Sequence, residues 1–262
     1  GLVGALLVGL SLGKALAYAL AKPFYGVHHL EGHLWSPFLS ASGEPAATPP
    51  EHFAALVVSG GHTALYAVEG GAISTLAETR DDAMGEVFDK LGKRLGLPYP
   101  QGPLVDKLAE TGDAGEPLPV PRVEAEFFFS YSGLKSAAIR RLEALERAGL
   151  TVDPADPPQP IRDLLAAFRA AAVAQLVDRV DRLHKKRPFT LLAVSGGVAA
   201  NRLLRREIAS WADGRNVDLR LVPLSYAGDN AAMIAFAALQ RHRRSDPGDP
   251  WTVEAESRIP LG

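Results

Sequence analysis

Residues 53–61, FAALVVSGG, and residues 189–197, FTLLAVSGG, write the same device twice in one chain. Each is a short unbroken apolar run closed by Ser-Gly-Gly. Such a run reads as a buried strand entering a tight turn. The two copies then diverge. After the first, residues 64–68 read as a second strand, so the pair is a hairpin around Gly60-Gly61. After the second, a helix is expected from about Val198 to Trp211, with Asn201 one turn into it. Between them, Met84, Val87, Phe88, Leu91 and Leu95 form the apolar stripe of a helix over 81–97, ended by Gly96 and Pro98. Residues 134–149 and 161–187 read as amphipathic helices, 219–223 as a strand and 229–241 as a helix. Strands alternating with helices give an α/β fold.

The chain has 262 residues, 47% hydrophobic and 22% charged, with a net charge of −2. That is a globular composition, long enough for one large domain or two modest lobes. The near-neutral balance gives no whole-surface attraction for nucleic acid. Arg179, Arg182, Lys185, Lys186 and Arg187 make a local basic cluster, a pattern that is usually a solvated helix end. The absence of cysteine excludes disulfides and thiolate ligands and is compatible with a reducing cytoplasm. Residues 1–21 are strongly apolar, but the unbroken part stops at Lys14, short of the ~20 residues of a membrane span. No basic segment precedes it, so it reads as a helix buried inside a domain. Residues 42–51 read as a proline-rich connector and the tail from Arg244 as a polar surface segment.

Chemistry concentrates in a few motifs. In HHLEGH, residues 28–33, His29 and His33 stand four apart, so both imidazoles leave one face of a helix. Two converging imidazoles begin a transition-metal site, although a bare pair is more often only exposed. A metalloprotease would need glutamate directly after the first histidine, and Glu31 comes two after His29. Asp229 would complete a His-His-carboxylate set. It also suits a plain helix N-cap, and Asp82 or Asp89 could serve instead. The turn Ser59–Thr63 offers consecutive backbone N–H groups with little bulk, as a phosphate cradle or as an ordinary hairpin turn. Ser195-Gly196-Gly197 opens a helix, which is a ready anion or nucleotide site. Asn201 reaches a ribose or carbamoyl group, or is a helix-surface amide. Asp81, Asp82, Glu86 and Asp89 make an acidic helix face, usually merely solvated. Gly102 lets backbone pack against a flat ligand. Ser132 is expected as an N-cap, and Lys135 in the following turn opposes the helix dipole, a weak pointer to phosphate.

In order, HHLEGH (28–33), LVVSGGHT (56–63), DDAMGEVFDKLGKRLGLPYPQGP (81–103), FSYSGLKSA (129–137), VSGGVAANRLLR (194–205) and YAGDNAAMIA (226–235) resemble the tRNA threonylcarbamoyltransferase family, TsaD in bacteria. The resemblance implies an actin-like ATPase/sugar kinase/Hsp70 fold of two α/β lobes. It implies transfer of threonylcarbamoyl from threonylcarbamoyl-AMP to N6 of the adenosine 3′ of the anticodon, in tRNAs reading codons that begin with A. Carried over residue by residue, His29, His33 and Asp229 look like ligands of one divalent metal ion per subunit, iron ahead of zinc. Val57, Val58, Ser59, Gly60, Gly61, Asp89, Gly102 and Asn201 look like the residues holding the adenylate. No general base is evident. Partners implied are tRNA, a paralogous TsaB-type subunit and a TsaE-type small ATPase, in the cytoplasm and without membrane. The expected organisation is a remainder of the N-terminal lobe over 1–50, a C-terminal lobe over 51–240 with a helical insertion at about 127–187, and a tail over 241–262. Family members begin with an Asp-Glu-Thr phosphate loop that this sequence lacks. A longer parent protein, an incomplete first lobe and an exposed apolar face on Gly1–Leu20 are therefore expected, with low stability or activity of this stretch alone. The rival reading is a carbamoyltransferase of the same fold acting on a non-tRNA acceptor. A non-catalytic paralogue is disfavoured, because a scaffold has no need of three metal ligands.

Overall fold

The computed structural model describes residues 2–40, 48–118, 128–257, 259 and 261. Its centre is a five-stranded mixed sheet in the order β3-β2-β1-β4-β5. The strands are β1 (His52–Val58), β2 (Thr63–Glu69), β3 (Ala72–Glu78), β4 (Leu191–Ser195) and β5 (Asp218–Leu221). β1 pairs antiparallel with β2 and parallel with β4, with Val57 opposite Ser195. Both Ser-Gly-Gly turns therefore leave the same end of adjacent parallel strands, where open α/β sheets bind ligands.

The apolar run of β1 is buried on both faces, which is why it shows no polar alternation. Ala54, Leu56 and Val58 face one core, packed by α3 (Met84–Arg94), α4 (Gln101–Ala109), α5 (Ser132–Arg147), α6 (Gln159–Lys186) and α7 (Arg202–Arg215). Phe53, Ala55 and Val57 face a second core, closed by α2 (His29–Trp35) and α8 (Ala231–Arg243). The histidine motif and the aspartate motif thus share one side of the sheet. Gly32 lets them approach: a Cβ there would lie 2.9 Å from Ile234 and 3.1 Å from Met233 of α8.

Several expectations change. β3 is an addition to the expected elements, hidden from the apolar pattern because as an edge strand its residues are mostly exposed. Its signal is Gly70-Gly71, both at positive φ, a two-residue hairpin turn. The segment 1–21 forms α1 (Val3–Ala19), but none of its residues is buried and Leu7, Leu12 and Leu16 face solvent. The composition-based reading of a buried helix is corrected. The basic cluster on α6 is largely neutralised, since Lys185 pairs with Asp181, Arg182 with Asp178 and Arg187 with Glu69. Arg179 is buried. Much of the proline-rich connector, at 42–47, lies outside the described residues.

Candidate metal and adenylate site

α2 is short, and its two histidines sit one turn apart with ring centroids 4.8 Å from each other. His33 is buried and His29 half exposed. The third group arrives from across the chain. α8 is capped by Asn230, whose side chain accepts from the Met233 N–H at 2.9 Å. Asp229 is thereby released from the capping role the sequence allowed it. Its Oδ1 lies 3.2 Å from His33 Nε2 and 3.4 Å from His29 Nε2. Among the described residues, these three side chains are the group whose donor atoms converge on a metal-sized space. Neither Asp82 nor Asp89 takes part.

The two carboxylate–imidazole separations suit a metal. Bonds of about 2.0–2.1 Å in a tetrahedral shell place neighbouring donors about 3.3–3.4 Å apart. The imidazole of His33 is held below its ordinary pKa by burial and then by His29, with Asp229 pulling the other way. It is kept neutral, the form that binds metal.

The adenylate candidates lie on the turns at the sheet end. In the first, the Ser59 N–H donates to the His62 carbonyl at 2.7 Å and the His62 N–H to Ser59 Oγ at 3.1 Å. Gly60 and Gly61 have no positive φ, and a Cβ on either would meet no atom within 4 Å. Neither conformation nor packing demands glycine there, which leaves room for a molecule outside the chain. Gly197 is equally open. Gly196 differs: its φ is +91° and a Cβ would lie 2.3 Å from the Val58 carbonyl oxygen, so it serves the contact between the two turns. Val57 and Val58 are fully buried, so their side chains support the turn and do not face a ligand.

Around these turns the acidic motif is mostly spent on structure. Asp81 accepts from Ser130, Ser132 and the Tyr131 N–H. Asp82 pairs with Lys90 and Lys135, and Glu86 folds back to the Ala83 N–H. Lys135 therefore has a carboxylate partner in place of the expected phosphate. Tyr131, not Ser132, occupies the N-cap position of α5. Asp89 remains, accepting from the Gly102 N–H at 2.7 Å, which joins two adenylate candidates directly.

The second turn passes through a 3-10 segment, Gly197–Ala200, before α7. Asn201 is the N-cap of α7 rather than one turn inside it, its Oδ1 accepting from the Leu204 N–H at 2.8 Å. Its Nδ2 donates to Asp106 of α4, which also receives Arg169 at 3.2 Å. Burial raises the Asp106 carboxyl against the pull of Arg169. Sequence reasoning misses Asp106 because it looks like an ordinary helix-surface acid. His62 lies on the first turn, where partial desolvation and then the charges of His29 and His28 hold its pKa below the ordinary value.

A family model, TsaD: tRNA N6-adenosine threonylcarbamoyltransferase, matches residues 1–236. The chain belongs to the tRNA N6-adenosine threonylcarbamoyltransferase family. Relatives of that name agree. The chain is 44% identical to one from Trichormus variabilis and 42% to one from Thermus thermophilus, in each case over all of this chain and 74% of the relative. It is 47% identical to one from Bordetella pertussis over 92% of this chain and 68% of the relative. Among solved structures, T. kodakarensis HypF superposes with a TM-score of 0.63 at 15% identity, over 88% of this chain and 39% of HypF. A full-length HypF in a phosphate- and nucleotide-bound form gives 0.61 at 12% identity, over 87% of this chain and 37% of that one. At such identity the likeness speaks to the fold alone, an α/β fold shared with HypF. As a threonylcarbamoyltransferase family member the chain acts on tRNA, and no described helix is long and apolar enough to cross a membrane.

Proposed function

We propose that His29, His33 and Asp229 hold one divalent metal ion beside a threonylcarbamoyl-AMP gripped by the two Ser-Gly-Gly turns. The observation carrying this is the convergence of three metal-type donors within 4.8 Å of one another, Asp229 at 3.2 and 3.4 Å from the two imidazoles, on the same protein that leaves Gly60, Gly61 and Gly197 open at the sheet end. Two nitrogens and one carboxylate suit iron, favoured by the family, or zinc. A bound divalent ion supplies a Lewis acid that steadies developing negative charge.

The chain's own groups do the rest. Backbone N–H groups of the turns bind phosphate oxygens and favour departure of the nucleotide as an anion. Asp89 and Asn201, held by Gly102 and Asp106, orient the ribose. The N6 amine of the adenosine 3′ of the anticodon attacks the carbamoyl carbon. A C–N bond forms, the carbon–oxygen bond to phosphate breaks, AMP leaves and the proton lost by N6 passes to water. An exocyclic purine amine is a poor nucleophile, so positioning carries much of the rate. A paralogous TsaB-type subunit and a TsaE-type small ATPase complete the system, and the setting is cytoplasmic.

The test incubates the protein with threonylcarbamoyl-AMP, partner subunits and unmodified tRNA, then measures threonylcarbamoyladenosine by mass spectrometry of digested nucleosides. Product that disappears with His33→Ala is expected. Bound adenylate without product would favour a different acceptor.

A further inference from the structure

The residue just before the first metal-type ligand does two jobs at once. His28 is the N-cap of α2, its Nδ1 facing the Leu30 N–H at 3.1 Å. Its Nε2 lies 2.8 Å from the carbonyl oxygen of Ile259, near the other end of the chain. A backbone N–H only donates and a carbonyl only accepts. The two contacts therefore hold together in a single state of the ring, with Nδ1 bare and the proton on Nε2.

We propose that Ile259 and Leu261 form a latch that fixes the tautomer and orientation of His28, and through it the start of the metal-bearing helix. The latch has a second tie: Thr75 Oγ1 on β3 donates to the Leu261 carbonyl at 3.1 Å. Leu261 also walls, with Glu31 of α2 and Ile73 of β3, a cleft of about 520 Å³. These residues thus span from the start of α2 to the edge strand of the sheet. A helix of seven residues has little stability of its own; packing of Leu30, Leu34 and Trp35 holds its body, so the cap acts on the exposed start of its first turn. That turn begins at the His28 carbonyl, which accepts from the Gly32 N–H at 3.2 Å, and His29 is its first residue. A loosened His28 therefore moves the exposed ligand His29 before the buried His33. Both tail bonds are exposed, so the latch is held by few contacts and can be opened without unfolding the core. Ligand orientation by such outer groups governs metal affinity.

The proposal rests on the metal-binding reading of His29, His33 and Asp229. The test uses six proteins: the parent, His28→Ala and His28→Asn, each with the tail and as a chain ending at Ser257. Long-range nitrogen NMR of the metal-free proteins reports the His28 tautomer and hydrogen exchange reports the Leu30 amide. Zinc affinity is measured by competition with a chromophoric chelator. In the parent one tautomer is expected; the shortened chain should show an averaged ring and faster Leu30 exchange. Zinc affinity should fall about tenfold in the shortened chain and in His28→Ala. Shortening the His28→Ala chain should cost nothing more, because both changes open the same latch. His28→Asn should bind zinc like the parent with or without the tail, since an asparagine caps without a tautomer to choose. An unchanged tautomer and Leu30 exchange in the shortened chain, or additive losses in the combined variant, would overturn the latch. A parent that binds no zinc would sink the metal reading, while the NMR and exchange results still decide the latch.

Discussion

Asp229 shows how a single residue becomes available for chemistry. An aspartate before a helix normally spends its carboxylate on the free N–H groups of the first turn. Here Asn230 does that, and Asp229 stays three-quarters exposed with its oxygen turned to two imidazoles. Asp229→Asn should therefore lower metal affinity by more than about 100-fold, beyond what an outer-sphere partner costs. The thermal midpoint of the metal-free protein should hardly move. Chelator competition and calorimetry on one preparation check both, and a large loss of metal-free stability would show a structural role instead. The histidine pair is legible in the sequence because one helical turn separates its members. The carboxylate is not legible from spacing: it lies 196 residues from His33, and only family resemblance singles it out. Asn201 stands out in the sequence but is misplaced by one turn, because a 3-10 segment before the helix leaves no mark in apolar periodicity. Asp106 gives no signal at all, since what distinguishes it is the partner it meets, Asn201, 95 positions away.

At the scale of elements, the motifs dock onto one another. Thr63 of the first turn accepts from the Met84 N–H of α3 at 2.9 Å. Gly85, next in α3, lies against the Ser59-Gly60 backbone: a Cβ there would be 2.6 Å from the Ser59 carbonyl oxygen and 2.9 Å from the Gly60 nitrogen. Backbone cannot swing aside as a side-chain tip can, so Gly85→Ala must displace the turn or the helix, at about 1–3 kcal/mol. Calorimetric titration with AMP should show weakened binding while zinc affinity stays at the parental value; unchanged AMP binding would separate the turn from the adenylate. The join between α6 and α7 predicts a pH effect. Asp181 accepts from Lys185 at 2.6 Å, Arg215 at 2.7 Å and Trp211 Nε1 at 3.0 Å. Burial alone would raise this carboxyl, but those partners outweigh it and hold it well below the usual carboxylate range. A group depressed in the folded state stabilises above its unfolded pKa and loses that contribution as pH falls through the folded value. Asp181→Asn should thus cost about 1–2 kcal/mol at neutral pH, discounted for the exposed ends of Lys185 and Arg215. Denaturant unfolding should show the gap to the parent narrowing as pH drops below about 4.

Across the whole molecule, the chain after α8 works as a seam. Arg241 binds Asp246 and Asp249, Asp249 accepts from the Gly26 N–H at 2.7 Å, and Lys14 of α1 donates to the carbonyls of Trp251 and Val253. The segment that reads as a passive polar surface in the sequence therefore fastens the stretch leading to the metal helix onto the sheet lobe. α1 is the exception to this economy of contacts. Its apolar side chains, Leu7, Leu12 and Leu16 among them, stay in water, and its ties are the Lys14 bonds, the Tyr18–Trp251 ring contact and the close approach of Gly13 to Phe24. Removing residues 1–20 should then leave a cooperative unfolding transition, with the midpoint within about 4 °C of the parent for a domain of this size. An exposed apolar patch of this kind drives association, so the parent chain should show concentration-dependent self-association in sedimentation velocity that the shortened chain lacks. The His28–Ile259 and Thr75–Leu261 bonds do not involve α1, so zinc affinity should survive the deletion. Loss of cooperative unfolding would mean that the sheet lobe and its two cores depend on a helix that buries none of its own residues, and the account of stability given by those cores would fall.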